Sequence, residues 1–220
     1  MCEEPVLSLS VIPEARVEQS LGKRIIVIGS SNSGKTTLAE KLAERLDAPF
    51  IELDGLHWEA GWVSADRDVF RERVRKAIEP ASWVMAGNYT RQQQDISWPV
   101  ADTIVWLDLS LSTVLRRCVV RCWRRSRSNE LLFGGTNREN FWEHLMLWNT
   151  EKSLIAFTLK THRSRRRTFE ALGHEPRWSH LTFIRLRSVD EIDHWLCHIQ
   201  NQNKTSKPGD DDTVSLSLVG

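Results

Sequence analysis

Arg24-Ile25-Ile26-Val27-Ile28-Gly29-Ser30-Ser31-Asn32-Ser33-Gly34-Lys35-Thr36-Thr37 is the stretch on which the reading of this chain turns. Residues 24 to 28 form an apolar run between charge and glycine, the pattern of a strand buried on both faces of a parallel sheet. Gly29 to Thr36 satisfies GxxxxGK[ST] at every fixed position. Beyond it, Leu38, Leu42 and Leu46, with Ala39 and Ala43 beside them, recur at helical spacing. Strand, glycine-rich turn and helix in that order aim successive backbone N–H groups and a helix N-terminus at one point, which suits phosphate. Gly29 and Gly34 let the backbone approach and turn, and Ser31, Asn32 and Ser33 line the cradle between them. Lys35 is placed for the β- and γ-phosphates of ATP, the Thr36 hydroxyl for Mg²⁺ and Thr37 for the α-phosphate. The competing reading is a Gly/Ser-rich turn that merely caps a helix.

The rest of the chain alternates in the same way. Residues 49–53, 83–86, 103–107 and 182–186 read as four further strands. Phe70, Val74, Ala77 and Ile78 mark the apolar face of a second helix, and Ile192, Trp195 and Ile199 that of the last one. Strands alternating with helices require crossover connections, hence an α/β fold with a parallel sheet covered on both faces. The arginine-rich segment from about 112 to 172 reads as a helical insertion, a lid able to cover a ligand. Residues 1–22 read as a weakly ordered leader, 23–200 as the domain and 201–220, with three consecutive aspartates, as a disordered tail.

At 220 residues, 40% of them hydrophobic, the chain is long enough for one α/β domain with a proper core. A formal net charge of +1 gives no electrostatic demand for nucleic acid or a membrane surface. Cys2, Cys118, Cys122 and Cys197 include no CxxC pair, so neither a disulfide framework nor a zinc site is indicated. With no apolar stretch of membrane-spanning length, a cytoplasmic protein is expected.

Beyond the cradle, the segments PFIELDGLHW, WVMAGNYT, ADTIVWLDLS, VLRRCVVRCWRR and THRSRRR together resemble the adenylate-kinase-like P-loop NTPases of the DNA topology modulation protein group, which is similar to adenylate and shikimate kinases. The resemblance covers about residues 23 to 197. It implies a P-loop fold with strand order 2-3-1-4-5, a nucleotide on the cradle, a lid, and a kinase's phosphoryl transfer to a nucleotide or other small acceptor. Related sequences commonly carry an aspartate where this chain has Ala86, so a weakened Mg²⁺ site, and even a nucleotide-binding protein without catalysis, is a competing expectation.

Asp54, read as the end of the second strand, is the candidate to orient the acceptor hydroxyl and accept its proton, with a turn cap as the alternative. His57 and Trp58 are candidates to line the acceptor pocket, although a lone histidine there more often simply packs. Asn88 and Tyr89 are further acceptor-binding candidates, against turn formation by Gly87-Asn88. Asp108 reads as the cap of the next helix. Arg117, Arg121, Arg124 and Arg125 share one helix face, with Leu115, Cys118, Val119 and Cys122 on the other. Stacked like charges repel, so a phosphate partner accounts for them, and Arg117 and Arg121 resemble lid-entry arginines that clamp transferring phosphates. Arg163, Arg165, Arg166 and Arg167 form a second cluster, with Arg163 and Arg167 taken as its nucleotide contacts. Both clusters also admit a solvated basic face, or a DNA-binding regulator with ATP as its switch. The near-neutral charge and the lack of a recognisable reading module weigh against DNA.

Overall fold

The computed structural model describes residues 21–128 and 154–205. The expected leader up to residue 20, the middle of the insertion with Phe141, Trp142, Leu145, Met146 and Trp148, and the tail from residue 206 lie outside the described residues. The elements are β1 (Arg24–Gly29), α1 (Lys35–Leu46), β2 (Phe50–Glu52), α2 (Leu53–His57), α3 (Arg67–Ala77), β3 (Trp83–Ala86), α4 (Thr90–Ser97), β4 (Thr103–Leu107), α5 (Leu111–Ser128), α6 (Leu154–Gly173), β5 (Thr182–Leu186) and α7 (Val189–Thr205).

All five strands are parallel and lie in the order β2-β3-β1-β4-β5. Strand side chains alternate between faces, so the continuous apolar run of β1 must be covered twice. Ile25 and Val27 face a layer built by Leu38 and Leu42 of α1 with Ile192, Trp195 and Ile199 of α7. Ile26 and Ile28 face the opposite layer, with Phe70 and Val74 of α3 and Phe169 of α6. Each such aliphatic side chain contributes about 1.5–3 kcal/mol when fully removed from water, which is why the β1 run dictates a central strand. Asp102 anchors the start of that strand by accepting the backbone N–H groups of Lys23 and Arg24 at 2.8 and 2.9 Å.

Three local expectations are corrected. β2 stops at Glu52, and Leu53 begins the short helix α2, so Asp54 sits in a first helical turn and not on a strand. The cause is Leu53, which is fully buried against Gly87 just past β3 and so turns the chain across the sheet end. On α5 the buried stripe is Val114, Cys118 and Cys122, at i, i+4 and i+8, whereas Val119 is 42% exposed, one residue further round the helix. Asp108 is no helix cap: the Ser110 hydroxyl accepts the Thr113 N–H. The Asp108 carboxylate is buried and held by Arg185 at 2.7 Å and Arg166 at 3.1 Å, cationic partners that a buried carboxylate requires.

Gly87 illustrates how tightly the site end of the sheet is packed. Its φ is +147°, and a Cβ there would stand 2.7 Å from Leu53 Cβ. Gly87→Ala is expected to lower the free energy of unfolding by at least about 2 kcal/mol, from backbone strain plus the clash. Chemical denaturation measures it, and an unchanged midpoint would contradict the seating of α2 on the end of β3.

Candidate functional site

The loop from Gly29 to Gly34 has the form of a phosphate cradle. Gly29 has a φ of +151°, and a Cβ on it would meet the Leu107 carbonyl oxygen at 2.7 Å and Ser33 Oγ at 2.8 Å. Asn32 and Gly34 adopt left-handed backbone, with φ of +62° and +96°. Ser33 N–H closes the turn on the Ser30 carbonyl at 3.2 Å, and Leu38 N–H starts the helix on Gly34 at 2.9 Å. Both amide atoms of Asn32 and the Ser33 hydroxyl are buried without a hydrogen-bond partner. Orphaned polar groups of this kind cost about 1–3 kcal/mol each, so the loop is formed for a polar ligand that supplies the missing bonds. Ser31 lines the loop half-buried, and Thr37 lies exposed in the first turn of α1.

Lys35 donates to the Ser30 carbonyl at 2.9 Å. Burial pulls its pKa from 10.5 to about 8, with Asp54 and Glu52 opposing the shift and Arg165 and Arg121 adding to it. An ammonium group enclosed so unfavourably gains most from the oxygens of a polyphosphate.

Asn88 grips the cradle. Its Oδ1 accepts Gly29 N–H at 3.1 Å and its Nδ2 donates to the Gly29 carbonyl at 2.7 Å. A side-chain amide carries the donor and acceptor of a peptide group, so it continues the β1–β3 ladder after the last strand pair. Expected among the acceptor-binding residues, Asn88 has both ends of its amide engaged by the cradle backbone. Tyr89, the next residue, donates its hydroxyl to Asp54 Oδ1 at 2.6 Å. Burial raises the Tyr89 pKa, reinforced by the charge of Asp54 and by this hydrogen bond, with a hydrogen bond from Trp58 opposing. The phenol therefore stays protonated and fixes one carboxylate oxygen of Asp54 while the other can face a ligand.

His57 is buried in an aromatic nest, 4.5 Å from the Tyr89 ring centre, 4.8 Å from Trp58 and 5.3 Å from Phe70. Burial lowers its pKa and Asp54 opposes, so at neutral pH it packs as an uncharged ring. Trp58 forms the half-buried rim of this nest and stacks edge-on with Trp62 at 5.8 Å.

Sequence reading missed Glu52. The Thr36 hydroxyl donates to Glu52 Oε1 at 3.3 Å, and the β2–β3 register pairs Glu52 with Ala86, the position at which an aspartate was expected. A hydroxyl and a carboxylate together fit Mg²⁺, a hard cation that takes one or two protein oxygens and completes its shell with phosphates and water. Among the described residues no cluster of three or more His, Cys, Asp and Glu side chains offers a denser metal cage. Glu52 reads from sequence as an interior residue of the second strand, and it becomes meaningful only once the structure ends β2 there and the register sets it beside Ala86.

The arginines divide sharply. Arg117 donates to the Ser33 carbonyl at 2.8 Å, binding the α5 face directly to the cradle, and Arg121, one turn on, is within electrostatic reach of Lys35. On α6, Arg163 and Arg167, the expected nucleotide contacts, are exposed, and the half-buried Arg165 interacts electrostatically with Lys35, Asp54 and Tyr89. Helical spacing explains the difference in burial. His162 is buried and lies 3.0 Å from the Ser30 hydroxyl, and Arg165 follows at i+3 on the same face.

Residues 25–95, less than half of the chain, match the model of the ATPase family associated with various cellular activities (AAA). The chain is 38% identical over 71 residues to the ATP-dependent protease ATPase subunit HslU of Desulfitobacterium hafniense (strain DSM 10664 / DCB-2), a match covering 31% of this chain and 16% of that protein. The same subunit of Caldanaerobacter subterraneus subsp. tengcongensis is 33% identical over 73 residues, covering 33% of this chain and 15% of the relative. The chain thus spans less than a fifth of the length of these curated relatives. Among solved structures, a gluconokinase from Sinorhizobium meliloti 1021 aligns over 83% of this chain and 97% of its own, with a TM-score of 0.42 and 18% identity. A shikimate kinase from Bacteroides thetaiotaomicron aligns over 82% and 98%, with a TM-score of 0.45 and 17% identity. No helix among the described residues is long and apolar enough to cross a membrane. Sequence motif, cradle geometry and the shared segment from residue 25 to 95 agree that this chain carries a P-loop nucleotide-binding core.

Proposed function

We propose that the chain is an ATP-dependent phosphotransferase, a cytoplasmic small-molecule kinase. The observation that carries this reading is Asp54, held by Tyr89 at 2.6 Å and electrostatically coupled to Lys35 across the end of the sheet. A protein that only binds nucleotide has no use for a carboxylate held in one orientation near the cradle lysine. Asp54 orients the acceptor hydroxyl and takes its proton as the hydroxyl oxygen bonds to the γ-phosphorus. The bond from that phosphorus to the bridging oxygen breaks, and ADP leaves with the bond's electron pair. Lys35, Arg117 and Arg121 carry the cationic groups suited to the charge that develops on the phosphoryl oxygens. Bound Mg²⁺ supplies further neutralisation of the β- and γ-phosphates, and Thr36 and Glu52 are the residues that would hold it.

Incubation of the protein with Mg-ATP and a panel of hydroxyl and phosphate acceptors, with Lys35→Ala as control, tests the reading. Transfer no faster than in the control would exclude it. Ala86 favours a second reading, nucleotide binding without catalysis, which the same transfer assay separates from the first; Glu52 bears on how the metal is held. If Glu52 does the work of the missing aspartate, Glu52→Gln raises the Mg²⁺ concentration for half-maximal transfer about 10- to 100-fold while metal-free nucleotide binding stays unchanged. An unaltered Mg²⁺ dependence removes Glu52 from the metal site.

A further inference from the structure

We propose that His162 is a positioning residue of the nucleotide site: through the Ser30 hydroxyl it fixes the first turn of the cradle and the point on which Lys35 rests. This deepens the nucleotide-binding part of the reading above and rests on that part alone, so phosphoryl transfer does not enter its test.

The cradle is gripped from three elements. Asn88, just past β3, engages both the N–H and the carbonyl of Gly29. Arg117 of α5 donates to the Ser33 carbonyl at 2.8 Å. The third grip comes from α6, where His162 Nδ1 lies 3.0 Å from Ser30 Oγ. The histidine is only 7% exposed, so this contact is shielded from water and its loss leaves a polar group without a partner.

α6 is itself pegged. One turn beyond His162, Arg166 reaches Asp108 at 3.1 Å, and Arg185 of β5 holds the same carboxylate at 2.7 Å. Asp108 directly follows β4, and the last residue of that strand, Leu107, pairs with Gly29. Contacts at i and i+4 share one helix face, so α6 keeps its histidine in a fixed place relative to the start of the cradle.

Ser30 passes that grip to the lysine. Its carbonyl accepts Lys35 Nζ at 2.9 Å and the Ser33 N–H at 3.2 Å. An ammonium group has three N–H donors. One is spent on Ser30, and the direction of that bond aims the other two, the pair left for phosphate oxygens. A shift of Ser30 therefore misdirects Lys35. Burial lowers the His162 pKa, with Asp108 opposing and Arg166 adding to the shift. At neutral pH an uncharged ring thus holds the loop, adding no repulsion to a lysine that already feels Arg165 and Arg121.

The test measures the Kd of an unreactive ATP analogue by calorimetry and the Tm of the ligand-free full chain. His162→Leu, which fills the place without a polar atom, is expected to raise Kd about 10-fold, and Ser30→Ala, which removes the other partner, to do the same. Because both act through one contact, the double variant is expected to be at most about 2-fold weaker than either single one, whereas independent effects would multiply to about 100-fold. His162→Asn, whose amide sets a polar atom as far along the side chain as Nδ1, is expected to stay within about 3-fold of wild type. A wild-type Kd for either single variant, a multiplicative double variant, or an asparagine variant as weak as the leucine one would each overturn the role of His162 while leaving nucleotide binding and the phosphotransferase reading in place. A lower Tm with Kd unchanged, the mark of packing alone, would overturn it as well. Should His162→Leu not fold, the Kd of Ser30→Ala decides by itself. Failure of the wild-type chain to bind the analogue would overturn the nucleotide-binding reading, and the role of His162 with it.

Discussion

Lys35→Ala is expected to abolish ATP-dependent phosphoryl transfer, with a loss of at least about 10²–10³-fold, while the ligand-free protein loses no stability. Both halves follow from the burial of the ammonium. In the free cradle its pKa stands at about 8 against an ordinary 10.5, so the folded chain holds this proton less firmly than the unfolded chain does. A cation depressed in this way disfavours the fold at all pH values below about 8. The penalty is relieved as pH rises from about 8 towards 10.5, the window in which the unfolded state binds more protons. Alanine removes that penalty along with the phosphate contact.

The same displacement makes nucleotide binding proton-linked. Phosphate oxygens favour charged Lys35, so above pH of about 8 binding must take up a proton. Affinity for an ATP analogue is expected to be level below that pH and to fall about tenfold per pH unit above it, a dependence absent from Lys35→Ala. Calorimetry in buffers of different ionisation enthalpy reads the proton directly. A flat profile through pH 9 in the wild type would mean that Lys35 does not meet the phosphates.

Asp54→Asn is expected to lower kcat by about 10²–10⁴-fold and to leave the Kd of the ATP analogue unchanged. Asparagine keeps the Oδ1 that accepts the Tyr89 hydroxyl, so the 2.6 Å contact and the seating of α2 survive. What is lost is a group able to take the acceptor's proton. Single-turnover rates separate the chemical step from binding. A variant with undiminished turnover would show that the acceptor hydroxyl is deprotonated elsewhere, and Asp54 would then be no more than part of the α2 turn.

The stretch from Arg24 to Thr37 was legible because everything it specifies is local. An apolar run long enough for a two-sided core, glycines at the two tight points and a helical repeat of leucines need no distant partner, and strand, loop and helix follow in the expected order. The remaining strands were legible for the same reason, since alternation and continuous hydrophobicity report burial. What periodicity does not carry is the choice of partner for a polar side chain. Asn88 bonds to Gly29 across 59 residues, Tyr89 to Asp54 across 35 and Thr36 to Glu52 across 16. These pairings depend on how β2 and β3 register beside β1, and on Leu53 turning the chain at Gly87.

The second arginine cluster makes the same distinction. Four cations in five residues marked a charged segment, but which of them is half-buried and which are exposed was set by the face of α6 that His162 fastens to the cradle. By itself the sequence determined a phosphate cradle on a parallel sheet, because backbone conformation and burial are encoded in neighbouring residues. Only the tertiary structure decided that Glu52 stands beside Ala86, that Asn88 braces the loop and that His162 meets the Ser30 hydroxyl, because hydrogen bonds and charge contacts act over a few ångströms between chain segments that only folding brings together.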